Sequence, residues 1–278
     1  MEKLDDPKLC AEDEAFALSP LHFFVTCSMR YILCSFIIAF IHKVSVAQII
    51  NTESQRIQSD TTGWFGSVGT SFLFQKNAVQ VTNINATAHV EYKTNKDLYL
   101  LLVNFALLKG SGQTFSNNLF YHLRYNYKIN KWLRWELFTQ LQQNSVTGIQ
   151  LRMLAGTGPR FKLTDTKHIS LYTATAVMYE HEKEKTTPPV IHRDIRSSDY
   201  VSLTYRPSKN SEIITTLFYQ PLFSNFSDYR ILNEINITFK LVTHLSFTTA
   251  WYYLYDSKPA ASTPKLNYSI SNGIQYDF

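Results

Sequence analysis

Cysteine is nearly absent from this chain, and its three copies, Cys10, Cys27 and Cys34, all fall in the first 34 residues. The remainder of the chain has no disulfide framework, no thiolate metal site and no cysteine nucleophile. Glycine and proline stand at only 9 each in 278 residues, which excludes collagen-like and low-complexity classes. No apolar run reaches the ~20 residues a membrane helix needs, and a mean hydropathy of −0.17 excludes a polytopic helical membrane protein. Charge is sparse, at 18% of positions, with a net charge of +5. Its basic residues are scattered, so there is no footprint for nucleic acid. In their place stand aromatics, at 14% of the chain.

The longest apolar run, Tyr31 to Ile41, comes after Met29-Arg30 and precedes Ser45-Val46-Ala47. A basic start, an apolar centre and small residues before a break are the three parts of a secretory signal. Cys34 lies inside the apolar run, not after it, which argues against a lipoprotein. Residues 29–47 are therefore expected to be a signal peptide, with the exported protein beginning near Gln48. The preceding residues 1–28 carry Glu2, Asp5, Asp6, Glu12, Asp13 and Glu14, the reverse of a signal's basic start, so translation is expected to begin at Met29.

From Trp64 onward the dominant period is two. Leu119, Tyr121, Leu123, Tyr125, Tyr127 and Ile129 alternate with Asn118, Phe120, His122, Arg124, Asn126 and Lys128, giving one strand two chemically opposed faces. The same alternation places Leu133, Trp135 and Leu137 opposite Arg134, Glu136 and Phe138, and Ile149, Leu151 and Met153 opposite Gln150, Arg152 and Leu154. The period predicts twelve strands, at about 64–75, 78–92, 97–108, 114–129, 132–144, 147–163, 169–182, 195–207, 211–222, 227–240, 244–256 and 266–278. Connections after even-numbered strands are short, for example Thr94-Asn95-Lys96 and Asn130-Lys131. The longest, Glu182 to Asp194 and Asp256 to Lys265, lie on the other side. This asymmetry, with Tyr and Trp toward strand ends (Tyr125, Tyr127, Tyr179, Trp251, Tyr253, Tyr255), predicts a closed antiparallel transmembrane β-barrel of about 12 strands over residues 64–278. Residues 48–63 form a short periplasmic segment before it. The apolar face is expected to meet outer-membrane lipid.

Phe278 ends the chain on the apolar face of the last strand. It resembles the terminal strand by which the barrel-assembly machinery recognises its clients, and is assigned as an assembly signal. A more specific likeness lies in Arg124-Tyr125-Asn126-Tyr127, in Glu136 through Asn144 (ELFTQLQQN) and in Leu151 through Arg160 (LRMLAGTGPR). These stretches resemble the core pattern of the outer-membrane barrel family known as domain of unknown function 481. That resemblance implies fold and location, and carries over no catalytic residue.

On the expected inner face, neighbouring strands bring together His122, Arg124, Arg134, Glu136, Gln140, Gln142, Gln150, Arg152, Arg160 and Lys162. One reading makes this a basic lumen that attracts anions, since charged rings set pore selectivity. The other makes it a ladder of ion pairs and amide bonds filling the interior. The second is preferred because Phe138, Tyr172, Tyr200, Phe218 and Tyr252 also point inward and narrow the lumen. His181, Glu182, Glu184, His192 and Asp194 flank one outer loop, but nothing fixes their spacing for a metal. A membrane hydrolase needs a serine beside a histidine; His89 and His122 fall inward without a serine spaced to join them. No enzymatic role and no cofactor are expected. The chain reads as a structural or interaction component of the outer membrane with a largely filled lumen. A narrow channel for small solutes, anions among them, and a hydrolase are the alternatives.

Overall fold

A computed structural model describes residues 62–77, 80–260 and 263–276. The expected signal segment, residues 1–61 as a whole and Phe278 lie outside the described residues. Twelve strands make up the fold: β1 (Gly63–Lys76), β2 (Gln80–Lys93), β3 (Asp97–Gly110), β4 (Gln113–Lys128), β5 (Leu133–Asn144), β6 (Ile149–Asp165), β7 (Ile169–Glu184), β8 (Ile191–Ser208), β9 (Ser211–Leu222), β10 (Asn225–Val242), β11 (Leu245–Asp256) and β12 (Leu266–Tyr276). They form one sheet in sequence order, each strand antiparallel to the next.

The two faces of this sheet invert the pattern of a water-soluble protein. On β4, Leu123 is 42% exposed while its neighbour Arg124 is 5% exposed. On β7, Tyr179 is 49% exposed while Glu180 is fully buried. Apolar side chains therefore cover the outside and charged ones fill the inside, an arrangement stable only against an apolar solvent.

The sheet curls about its polar face. Side chains of β4 (His122, Arg124) and of β11 (Leu254) line one cavity, together with residues from the strands between. At the long-loop end, the turn between β5 and β6 lies beside the loop between β11 and β12: a Cβ added at Gly148 would meet the Cβ of Ala260 at 3.3 Å. Two inner apolar clusters support the curl, Leu98, Leu100, Leu102 and Phe120 on β3 and β4, and Ala174, Tyr200, Phe218, Leu232, Tyr252 and Leu254 on β7 to β11.

Outward aromatics pair across strands near both ends. Trp64, Tyr92, Tyr99 and Tyr125 form a row across β1 to β4 near the short turns, with ring centroids 4.7, 6.2 and 4.9 Å apart. Tyr229 and Tyr255 stack near the long loops with ring centroids 5.8 Å apart, and Tyr219, deeper on β9, meets Tyr229 at the same distance.

Two expectations need correction. The β7–β8 connection spans only 185–190, because Glu182 pairs with His192 and Glu180 with Asp194 in a continuous ladder. Alternation also breaks at the start of β6. A bulge between Ile149 and Leu151 turns Ile149 inward and Gln150 outward, reversing their expected faces.

Candidate functional site

The inner face carries two large charged clusters, and each reaches beyond neighbouring strands to one that shares no ladder with its centre. The first centres on Glu136 of β5, which is 3% exposed. Asn126 Nδ2 of β4 donates to its Oε1 at 2.9 Å, and the Tyr200 hydroxyl of β8 donates to its Oε2 at 2.9 Å. Arg160 Nε of β6 donates to the Tyr200 oxygen at 2.9 Å and stands 3.5 Å from Glu136 Oε1, while Arg124 Nη1 lies at 3.9 Å. Both guanidinium groups also lie over rings, Arg160 over Tyr172 at 3.9 Å and Arg124 over Phe138 at 5.9 Å. Such planar stacking is a property of Arg that Lys lacks. The Tyr200 bridge runs from β8 to β5 across the concave side of the sheet.

Gly156 and Gly158 make room for this cluster. A Cβ at Gly156 would fall 2.4 Å from Cζ of the Phe138 ring, and one at Gly158 would fall 2.0 Å from the backbone oxygen of Thr175. The first glycine admits an inward aromatic. The second allows β6 and β7 to approach more closely than any side chain permits.

The second cluster centres on Glu180 of β7. Three guanidinium groups converge on this carboxylate: Arg152 Nε of β6 at 2.7 Å, Arg196 Nε of β8 at 2.8 Å and Arg230 Nη1 of β10 at 2.6 Å. Arg230 also reaches Glu182 at 3.1 Å and Asp256 of β11 at 2.8 Å, and Arg196 reaches Asp228 at 2.9 Å. Each arginine thus meets more than one carboxylate, and the positive charge of all three is compensated within the cluster. A smaller group on β2 joins Glu91 to His89 at 3.1 Å and to Lys93 at 3.2 Å.

The sequence-predicted residues divide between these clusters. Arg124, Glu136 and Arg160 come together, and His122 lies next to them with its Nδ1 3.2 Å from Gln140 Oε1. Arg152 belongs instead with Glu180, and Arg134 is only half-buried. Glu182, Glu184, His192 and Asp194, read as loop residues, share the inner face of the β7–β8 hairpin, while His181 points outward. Glu182 is engaged by Arg152 and Arg230, which leaves it a structural anion. The partners missed in sequence were Glu180, Arg196 and Arg230. Period two does place them inward, but β10 lies three strands from β7 and only the curl joins them.

Between the clusters lies a cavity of about 50 Å³ lined by His122, Glu136, Arg152, Tyr200, Phe218 and Arg230 among others. That is room for a few waters and far below the ~300–1,000 Å³ of a typical ligand pocket.

Residues 57–278 match the family model described as "Protein of unknown function, DUF481". Comparison with curated protein sequences gives no match. Among solved structures the chain is similar to the NanC porin, at 11% identity and a TM-score of 0.45, covering 77% of this chain and 98% of that one. It is similar to the translocator domain of autotransporter NalP from Neisseria meningitidis, at 8% identity and a TM-score of 0.38, covering 95% and 100%. It is also similar to the KdgM porin solved with disordered oligogalacturonate, at 14% identity and a TM-score of 0.38, covering 72% and 95%.

Proposed function

This chain belongs to the DUF481 family, and we propose that it is an outer-membrane β-barrel with a filled lumen, acting as a structural or interaction component of that membrane. The observation that carries this reading is the bridging of the interior by charge. Glu136 is tied to Tyr200 across three strand steps and Glu180 to Arg230 across an overlapping three, leaving a cavity of only about 50 Å³ between them.

Membrane insertion is supported by the inverted faces. Closure of β1 on β12 is supported by energetics, since in hydrocarbon each unpaired backbone group at an open edge costs several kcal/mol. Joining the first strand to the last removes both edges at once. The 29–47 segment supplies the export route, outer-membrane lipid surrounds the barrel, and the barrel-assembly machinery inserts it. No catalytic step belongs to this reading.

Planar-bilayer recording of the purified full chain tests it. A filled lumen predicts no steady open-channel current. Reproducible conductance steps, with selectivity for small anions, would replace the reading with that of a narrow channel.

A further inference from the structure

The outward face of β7, β8 and β9 breaks its apolar pattern around Asp199, with Thr173 and Ser197 on the same face one step along their strands. Thr175, Asp199 and Tyr219 stand side by side across the three strands, paired Thr175 to Asp199 and Asp199 to Tyr219. All three are on the outer face: their strand neighbours Val177, Val201 and Leu217 are exposed apolar residues, whereas Ser198, Tyr200 and Phe218 are buried inward. The Thr175 hydroxyl donates to Asp199 Oδ1 at 2.5 Å. Beside them on β6, Thr157 accepts from Trp135 Nε1 at 2.8 Å.

Asp199 is not an interfacial residue by height. A strand tilted about 40° climbs ~2.5 Å per residue, so Asp199, six residues before Tyr205, stands about 15 Å above it in an apolar band about 25 Å tall. Above it come Ser197 and then Ile195, which is 54% exposed on the outer face. A carboxyl group facing hydrocarbon is expensive and ordinarily marks a partner. It offers about four acceptor positions, of which Thr175 takes one, and acyl chains offer no donor for the rest.

We propose that this row is the centre of a side-by-side contact with a second copy of this chain in the membrane. The proposal rests on the barrel reading above. The occupant follows from chemistry: the row holds an acceptor, Asp199, beside a donor, the Tyr219 hydroxyl. An adjacent acceptor and donor are self-complementary about an axis that passes between them. A twofold axis along the membrane normal between Asp199 and Tyr219 turns the patch on itself, so each copy's carboxyl group meets the Tyr219 hydroxyl of the other, the reciprocal pattern of an isologous interface. Thr157 extends this polar surface and Trp135 borders it.

Two measurements on full-chain protein in outer membranes test the contact. A photo-crosslinking residue at Thr157 is expected to give a product of twice the chain mass, and native mass spectrometry in mild detergent to give a dimer. The pair Asp199→Leu with Thr175→Val should lower the dimer-to-monomer ratio at least about tenfold, while the heat-modifiable gel mobility of a folded barrel is retained. Crosslinking to a different protein, an absence of crosslinking, or a dimer indifferent to the double substitution would each overturn the proposal. Loss of heat-modifiable mobility in the unsubstituted chain would instead overturn the barrel reading beneath it.

Discussion

At the scale of single residues, Glu136 takes bonds on both carboxylate oxygens, from Asn126 and Tyr200, and lies between Arg124 and Arg160 in a nearly dry interior. Glu136→Gln removes the charge that compensates both arginines, and losing one partner of a buried ion pair costs about 3–5 kcal/mol. Tyr200→Phe removes one donated and one accepted bond but no charge, so a smaller loss of about 1–3 kcal/mol is expected. Urea unfolding in lipid vesicles, followed by tryptophan fluorescence, measures both. Unchanged stability for Glu136→Gln would mean a wet, screened interior. Period two alone placed Arg124, Glu136 and Arg160 on one face, because a residue's side of a strand follows from its parity. It did not identify Tyr200 as the bridge, since that bond runs between strands that share no ladder. Ile149 and Gln150 escaped for a different reason: a bulge changes parity locally and leaves little mark in the residues themselves.

At the scale of elements, membrane stability depends on which side of each strand faces out. Leu123→Arg on the outer face of β4 is expected to cost about 2–4 kcal/mol, whereas Thr87→Ser on the inner face of β2 should stay within about 0.5 kcal/mol. The same vesicle unfolding assay compares them; equal tolerance would place the register one residue off. Strand positions were largely legible, because alternating apolar residues are interrupted by recognisable turns such as Asn130-Lys131 between β4 and β5. The β7–β8 hairpin was the exception. Glu182, Glu184, His192 and Asp194 read as a solvated loop because their charge is visible in sequence and its compensation is not. Arg152, Arg196 and Arg230, from β6, β8 and β10, neutralise the carboxylates around Glu180 and let this charged segment continue as paired inner face.

At the scale of the whole molecule, twelve consecutive antiparallel strands curl until the β5–β6 turn lies beside the β11–β12 loop. The inverted faces and the bridges from β5 to β8 and from β7 to β10 are properties of that curl and not of any one strand. Sequence alternation made the all-β class and the strand count legible. Closure was not legible in the same way, because no residue encodes it: it follows from the cost of leaving β1 and β12 with open edges in hydrocarbon. Whether the strands close around a bridged interior is decided by interstrand nuclear Overhauser contacts between β1 and β12 in lipid nanodiscs. A closed barrel predicts an antiparallel set of backbone contacts joining residues of 63–76 to residues of 266–276, as continuous as the β1–β2 and β11–β12 sets. A spectrum with strong β1–β2 and β11–β12 contacts and none between β1 and β12 would contradict it.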